Sequence, residues 1–226
     1  MQKPGLSTLV LTSIGLLFAA LVVVLIVSSL VRPSVREFAP TAPNPEAVGE
    51  RSVGPRLYTV DATAHDRWVY FDFSRGSVVD VDSRRSLDWD LAFQRHRMIS
   101  NGGDTNPAGR GAVADLGPIR IDSALTVPED DWTTDEGRGD TPRNPVLEDW
   151  YDYSWTSHIL RPADRVLAIR TADGRYAALR FVGYYCPGGR PGCVSFVYRY
   201  QGDGSKTFAP AAASAADSAA NGTAAG

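Results

Sequence analysis

The sequence predicts an all-β domain of antiparallel sheet preceded by a single N-terminal transmembrane helix. Three observations carry this expectation. The 26 residues from Leu6 to Val31 form one uncharged apolar run. Five later segments alternate or cluster β-branched and aromatic residues with period two, and no convincing pattern of a soluble helix follows the first run.

At about 1.5 Å per residue the run LSTLVLTSIGLLFAALVVVLIVSSLV outspans a hydrocarbon core of about 30 Å, so it is long enough to cross. A cleaved signal peptide has an apolar region of only about 7–15 residues before a small-residue cleavage site. Here the run is longer and ends in SSLVRPS, so the expectation is an uncleaved anchor over 6–31 behind a short N-terminal segment, 1–5. No Cys lies near the N-terminus to accept a lipid. Ser13, Gly15, Ala19 and Ala20 supply small residues suited to packing on another membrane helix. Lys3 before the helix and Arg32 and Arg36 after it leave the positive-inside bias nearly balanced.

Residues 32–55 are rich in Pro and lack apolar periodicity, which predicts a linker. The stretch 209–226 is nearly all Ala, Ser and Gly and predicts a disordered tail. Between them, 56–208 reads as one β domain. Its expected strands are RWVYFDFS (67–74), LDWDLAF (87–93), RVLAIRT (165–171), RYAALRFVGYY (175–185) and VSFVYRY (194–200). Thr171-Ala-Asp-Gly174 predicts a hairpin turn with Gly174 at positive φ, and the last three strands a meander. In LDWDLAF, Leu87, Trp89, Leu91 and Phe93 alternate with Asp88 and Asp90, which predicts one core face and one wet or hydrogen-bonded face. Stretches 99–118 and 127–146 exceed ordinary loop lengths and are read as functional loops or poorly ordered ones.

Cys186 and Cys193 bracket PGGRPG between two apolar runs, as the ends of a hairpin would. A disulfide there closes a loop of eight residues and contributes about 2–3 kcal/mol in the chain-entropy model. That pairing favours an oxidising compartment, with the N-terminus inside and the domain periplasmic or extracellular; two unpaired thiols in a cytosolic loop are the alternative.

Composition excludes several functions. Net charge is −3 and no Lys/Arg cluster is present, which argues against nucleic acid. Three His and two Cys cannot build a four-cysteine zinc ribbon, an all-cysteine iron–sulfur site or a CxxCH haem attachment. GxSxG, HExxH, a P-loop and GxGxxG after a strand are all missing, so no enzyme motif is present. The glycine-rich stretch from Ser100 lacks the GK[ST] end of a phosphate loop and is read as a structural turn. Glu129/Asp130 and Glu148/Asp149 are sequence neighbours, which point apart on a strand and make poor catalytic pairs.

What remains is a ligand-binding set. LEDWYDYSWTSH (147–158) gathers Trp150, Tyr151, Tyr153 and Trp155, which either pack as core or line a flat apolar cleft. His158 ends this run, His96 and Met98 follow Phe93, and His65 precedes the first strand. Imidazole and thioether are the axial ligands of non-covalent haem, so His96, Met98 and His158 are candidate iron ligands, with Trp150, Tyr153 and Trp155 as walls.

The order RWVYFDF, SLDWDLAFQRHRMISNGG, a long loop, VLAIRTADGRYAALRFVGYY and GCVSFVYRYQ resembles the HmuY family of bacterial haem-binding proteins. The likeness covers about residues 56–202 and is sharpest at 89–103 and 170–176. It implies an all-β fold and haem b held between two His, or Met in relatives, within a cleft. It also implies lipoprotein or secreted haemophores, from which this chain departs by carrying a membrane helix. Two expectations follow: a single-pass, membrane-anchored, exported domain that binds haem or another porphyrin, or a non-catalytic accessory subunit whose helix docks with other membrane-protein subunits in the bilayer.

Overall fold

The computed structural model describes residues 5–30, 34–137 and 142–211. The first four residues, and the part of the expected tail from 212 onward, lie outside the described residues. The chain forms two compact units: one holds the N-terminal segment through Val35 together with Tyr153–Ile159, and the other holds everything else.

In the first unit, α1 (Leu6–Leu30) runs unbroken for 25 residues. Among the described residues it is the one helix long and apolar enough to cross a membrane.

The elements that follow are short strands: β1 (Ser52–Asp61), β2 (Val69–Asp72), β3 (Ser77–Val79), β4 (Leu91–Gln94), β5 (Arg97–Ser100), β6 (Ala112–Asp115) and β7 (Leu125–Thr126). Then come one helical turn, α2 (Pro145–Glu148), and β8 (Tyr151–Ser154), β9 (Ile159–Pro162), β10 (Leu167–Arg170), β11 (Tyr176–Cys186), β12 (Arg190–Gln201) and β13 (Thr207–Phe208). They build a five-stranded sheet ordered β1-β12-β11-β10-β6, a four-stranded sheet ordered β3-β2-β4-β5, and the two-stranded pairs β13-β7 and β8-β9. Every ladder within these sheets is antiparallel. The C-terminal meander is present, with Leu167 opposite Leu179 and Phe181 opposite Phe196. Gly174 takes φ 89° in the predicted turn, which Thr171 closes by accepting the Gly174 N–H at 3.0 Å.

Aromatic side chains join the two large sheets. Phe71 of β2 lies 5.3 Å from Phe196 of β12 and 4.9 Å from Tyr58 of β1, while Phe93 of β4 stacks on Phe196 at 5.8 Å. Such pairs add about 0.5–1.5 kcal/mol each beyond the area they bury. The disulfide between Cys186 and Cys193 closes the β11–β12 hairpin, with the Cα atoms 4.9 Å apart.

Two local readings change. In LDWDLAF the strand starts only at Leu91, leaving Leu87 exposed and Asp90 buried. The reason is a tie between sheets: Asp90 accepts the Phe73 N–H at 2.8 Å and the Ala172 N–H at 2.9 Å, and this outweighs strand alternation.

The second change concerns the Pro-rich stretch expected as a linker, most of which is bound to the β-domain. Phe38 N–H donates to the Tyr185 carbonyl at 2.8 Å, Thr41 N–H to Thr59, and Val48 N–H to Ser74. Asn44 N–H reaches Ser77 Oγ, and the Glu37 carboxylate accepts the Gly188 N–H. Proline supports this extended course because it presets φ and needs no N–H partner. The Phe38 ring covers Gly183, where a Cβ would meet its Cε2 at 2.4 Å. Gly183→Val is therefore expected to expel the ring and loosen the strap, costing about 1–3 kcal/mol by overpacking. Limited trypsin digestion should then cut faster at Arg36 and Arg51, and an unchanged cleavage rate would argue against a fixed strap.

Candidate functional site

The β4–β5 turn sets the first candidate donor. Arg95 adopts φ 58°, and the next residue, His96, leaves the turn exposed. Its carbonyl accepts the indole N–H of Trp150 at 2.9 Å, which fixes the turn from below. Trp150 is fully buried, packed 4.9 Å from Phe181 and 5.7 Å from Tyr184. Of the two readings of this residue, core packing is the one its environment fits, and it serves His96 as a support rather than a wall.

His96, Arg97, Met98, Pro142, Arg143, Glu148 and Tyr151 line a cleft of about 290 Å³. This is at the small end of ligand pockets, which begin near about 300 Å³. The His96 ring meets the Tyr151 ring edge-on at 6.0 Å. Partial burial, then the charges of Arg95 and Arg97, push the His96 pKa below its ordinary value. At neutral pH the imidazole is therefore uncharged, the form that ligates a metal. Met98 is only 3% exposed.

These residues fit haem in part. A neutral, accessible imidazole beside an aromatic ring suits one axial position and the exposed Arg97 guanidinium suits a carboxylate, whereas Arg143 is already paired with Glu136 and Glu148. The two-sided clamp is not built from His96 and Met98: His96 stands exposed in the turn, while Met98 on β5 is buried. Tyr153, Trp155 and His158 group at the β8–β9 tip instead. There the Tyr153 hydroxyl and His158 Nδ1 share a hydrogen bond of 2.5 Å, and His158 takes φ 56°. Among the described residues no three His, Cys, Asp or Glu side chains converge as a metal site.

Behind the cleft lies a polar hub that sequence reasoning missed. The Asp135 carboxylate accepts from Ser100 N–H (3.0 Å), Ser100 Oγ (2.6 Å), Thr105 Oγ1 (2.7 Å) and Asn144 Nδ2 (3.0 Å). Asn144 in turn caps α2 by accepting from Val146 and Leu147 N–H. The hub thus joins β5, which carries Met98, to α2, which carries Glu148. The SNGG stretch is a structural turn: Asn101 donates to the Ser86 and Trp89 carbonyls, and Asn106 to Asn101. The two Asn within 101–106 are the signal that could have located this loop, whereas Asp135 is one of four Asp in 127–146 and nothing in the sequence singles it out.

Comparison with known proteins decides the family. The family described as HmuY protein matches residues 64–198. The chain belongs to the HmuY family. Its fold is shared with solved relatives. The apo HmuY analog (TFO) of Tannerella forsythia superposes with a TM-score of 0.54 at 17% identity, covering 68% of this chain and 98% of that one. A candidate HmuY-like heme-binding protein of Bacteroides vulgatus gives 0.52 at 20% identity, over 70% and 96%. Apo PinO of Porphyromonas gingivitis gives 0.52 at 16%, over 67% and 97%. At such identities the likeness concerns the HmuY fold alone. No curated protein matches the chain.

Proposed function

We propose that this HmuY-family chain is a single-pass, membrane-anchored, non-catalytic protein of a bacterial envelope. Its β-domain lies on the periplasmic or extracellular side and binds haem or a related porphyrin non-covalently through His96. The observation that carries this reading is the exposed, neutral His96 imidazole held over the cleft by Trp150 and Tyr151. The anchor rests on the length and apolarity of α1, and the outward orientation on the Cys186–Cys193 disulfide. The cleft admits only an edge of a macrocycle, so the porphyrin docks against the surface, a carboxylate toward Arg97.

Haemin titration of the detergent-solubilised chain tests it. A saturable shift of the Soret band is expected, weakened at least about tenfold in His96→Ala, which corresponds to about 1.4 kcal/mol. Met98→Leu should leave the titration unchanged. A wild-type titration without saturation would sink the haem reading.

The second reading, an accessory subunit of a larger membrane complex, is favoured by the one-sided donor set, since bracing a partner requires no opposed ligands. Co-purification of the full chain with a defined membrane assembly, and no saturable haemin binding, would select it.

A further inference from the structure

We infer that the β8–β9 hairpin tip is a second membrane contact, with Trp155 and Tyr153 seated in the interfacial layer of the bilayer that α1 crosses. The inference rests on the anchor reading above and adds a lipid-binding element that α1 does not provide.

The tip itself has the required chemistry. Trp155 is 83% exposed and Tyr153 41% exposed, an unusual display for large aromatic side chains. Their rings meet edge-on at 5.4 Å, forming one paired aromatic surface. The segment Tyr153–Ile159 contains no Asp, Glu, Lys or Arg. Its hydroxyls bond among themselves, Ser157 Oγ to Ser154 Oγ at 2.8 Å, and the Tyr153 hydroxyl pairs with His158. A loop free of Asp, Glu, Lys and Arg, with bonded hydroxyls and exposed Trp and Tyr, matches the amphipathic side chains that concentrate at membrane interfaces.

The tip shares its compact unit with the apolar helix, Tyr153–Ile159 belonging with the N-terminal segment that carries α1. Within the β-domain, Tyr185 holds both the strap and the base of the hairpin: its carbonyl accepts the Phe38 N–H, and its hydroxyl accepts the Leu160 N–H at 3.0 Å. The strap is bound from Glu37 onward, so seven residue steps join Leu30 of the helix to Glu37 of the strap, no more than about 25 Å when fully extended.

The test uses the full chain reconstituted in phosphatidylcholine vesicles, with and without spin-labelled lipid that quenches tryptophan near the headgroups. Trp89 and Trp150 are fully buried and α1 contains no Trp, while Trp68 and Trp132 are partly buried, so the tip's share of the signal is read as the difference between the wild type and Trp155→Phe. The expected result is quenching in the wild type, most of which disappears in Trp155→Phe. Quenching that is absent, or equal in Trp155→Phe, from protein that floats with the vesicles overturns the inference and leaves the anchor intact. Protein that fails to float overturns the anchor reading and this inference with it.

Discussion

Asp135→Ala should lower the stability of the β-domain by roughly 4 kcal/mol, since each unpaired buried polar group costs about 1–3 kcal/mol. The substitution deprives Ser100 N–H, Ser100 Oγ, Thr105 Oγ1 and Asn144 Nδ2 of their common acceptor. Ser100 and Asn144 are fully buried, so water does not replace it without opening the fold. Because Asn144 also caps α2, the loss spreads to the wall that carries Arg143 and Glu148. Asp135→Asn keeps one acceptor oxygen and should fall between the variant and the wild type. Chemical denaturation followed by tryptophan fluorescence measures both, and a loss below about 1 kcal/mol would show that the hub is not structural.

The second large effect is a pH dependence centred on Asp90. Burial, then the neighbouring Asp72 carboxylate, push the Asp90 carboxyl from its ordinary 3.8 up to about 8, against the Ala172 and Phe73 N–H bonds that favour its charged form. Burial raises Asp72 as well, so the two carboxyls titrate as a pair. A folded-state pKa above the unfolded one means that the folded domain binds the proton more tightly. The resulting stabilisation is complete below about pH 4 and is lost as pH rises through about 8. The melting temperature of the wild type, measured against that of Asp90→Asn, should therefore climb as pH falls from about 8.5 to about 5. A constant difference across that range would mean that Asp90 does not titrate there.

The apolar N-terminal helix, the disulfide hairpin and the C-terminal meander were legible because each follows from local chemistry: an uncharged run, two Cys around a Gly/Pro turn, and β-branched residues around Thr171-Ala-Asp-Gly174. The strap was not legible, since Pro and small polar residues read alike whether they hang free or lie along a sheet edge. Only Tyr185, Thr59 and Ser74, which are far away in sequence, distinguish the two. Asp135 was missed, and Asp90 was read only as lying on a wet or hydrogen-bonded face, for the same reason: a buried carboxylate is defined by its donors, and Phe73, Ala172, Ser100 and Asn144 come from four separate segments. At the candidate site, the burial of Met98 and the hydrogen bond that Trp150 makes to the His96 carbonyl from 54 residues away leave no local mark in the sequence.

The central claim is that haem has one protein donor here, His96. The visible and electron paramagnetic resonance spectra of the ferric haem complex of the full chain test it most directly. One axial imidazole predicts a high-spin ferric signal in the wild type, altered in His96→Ala and retained in Met98→Leu. A low-spin, doubly ligated signal that survives His96→Ala would contradict the account.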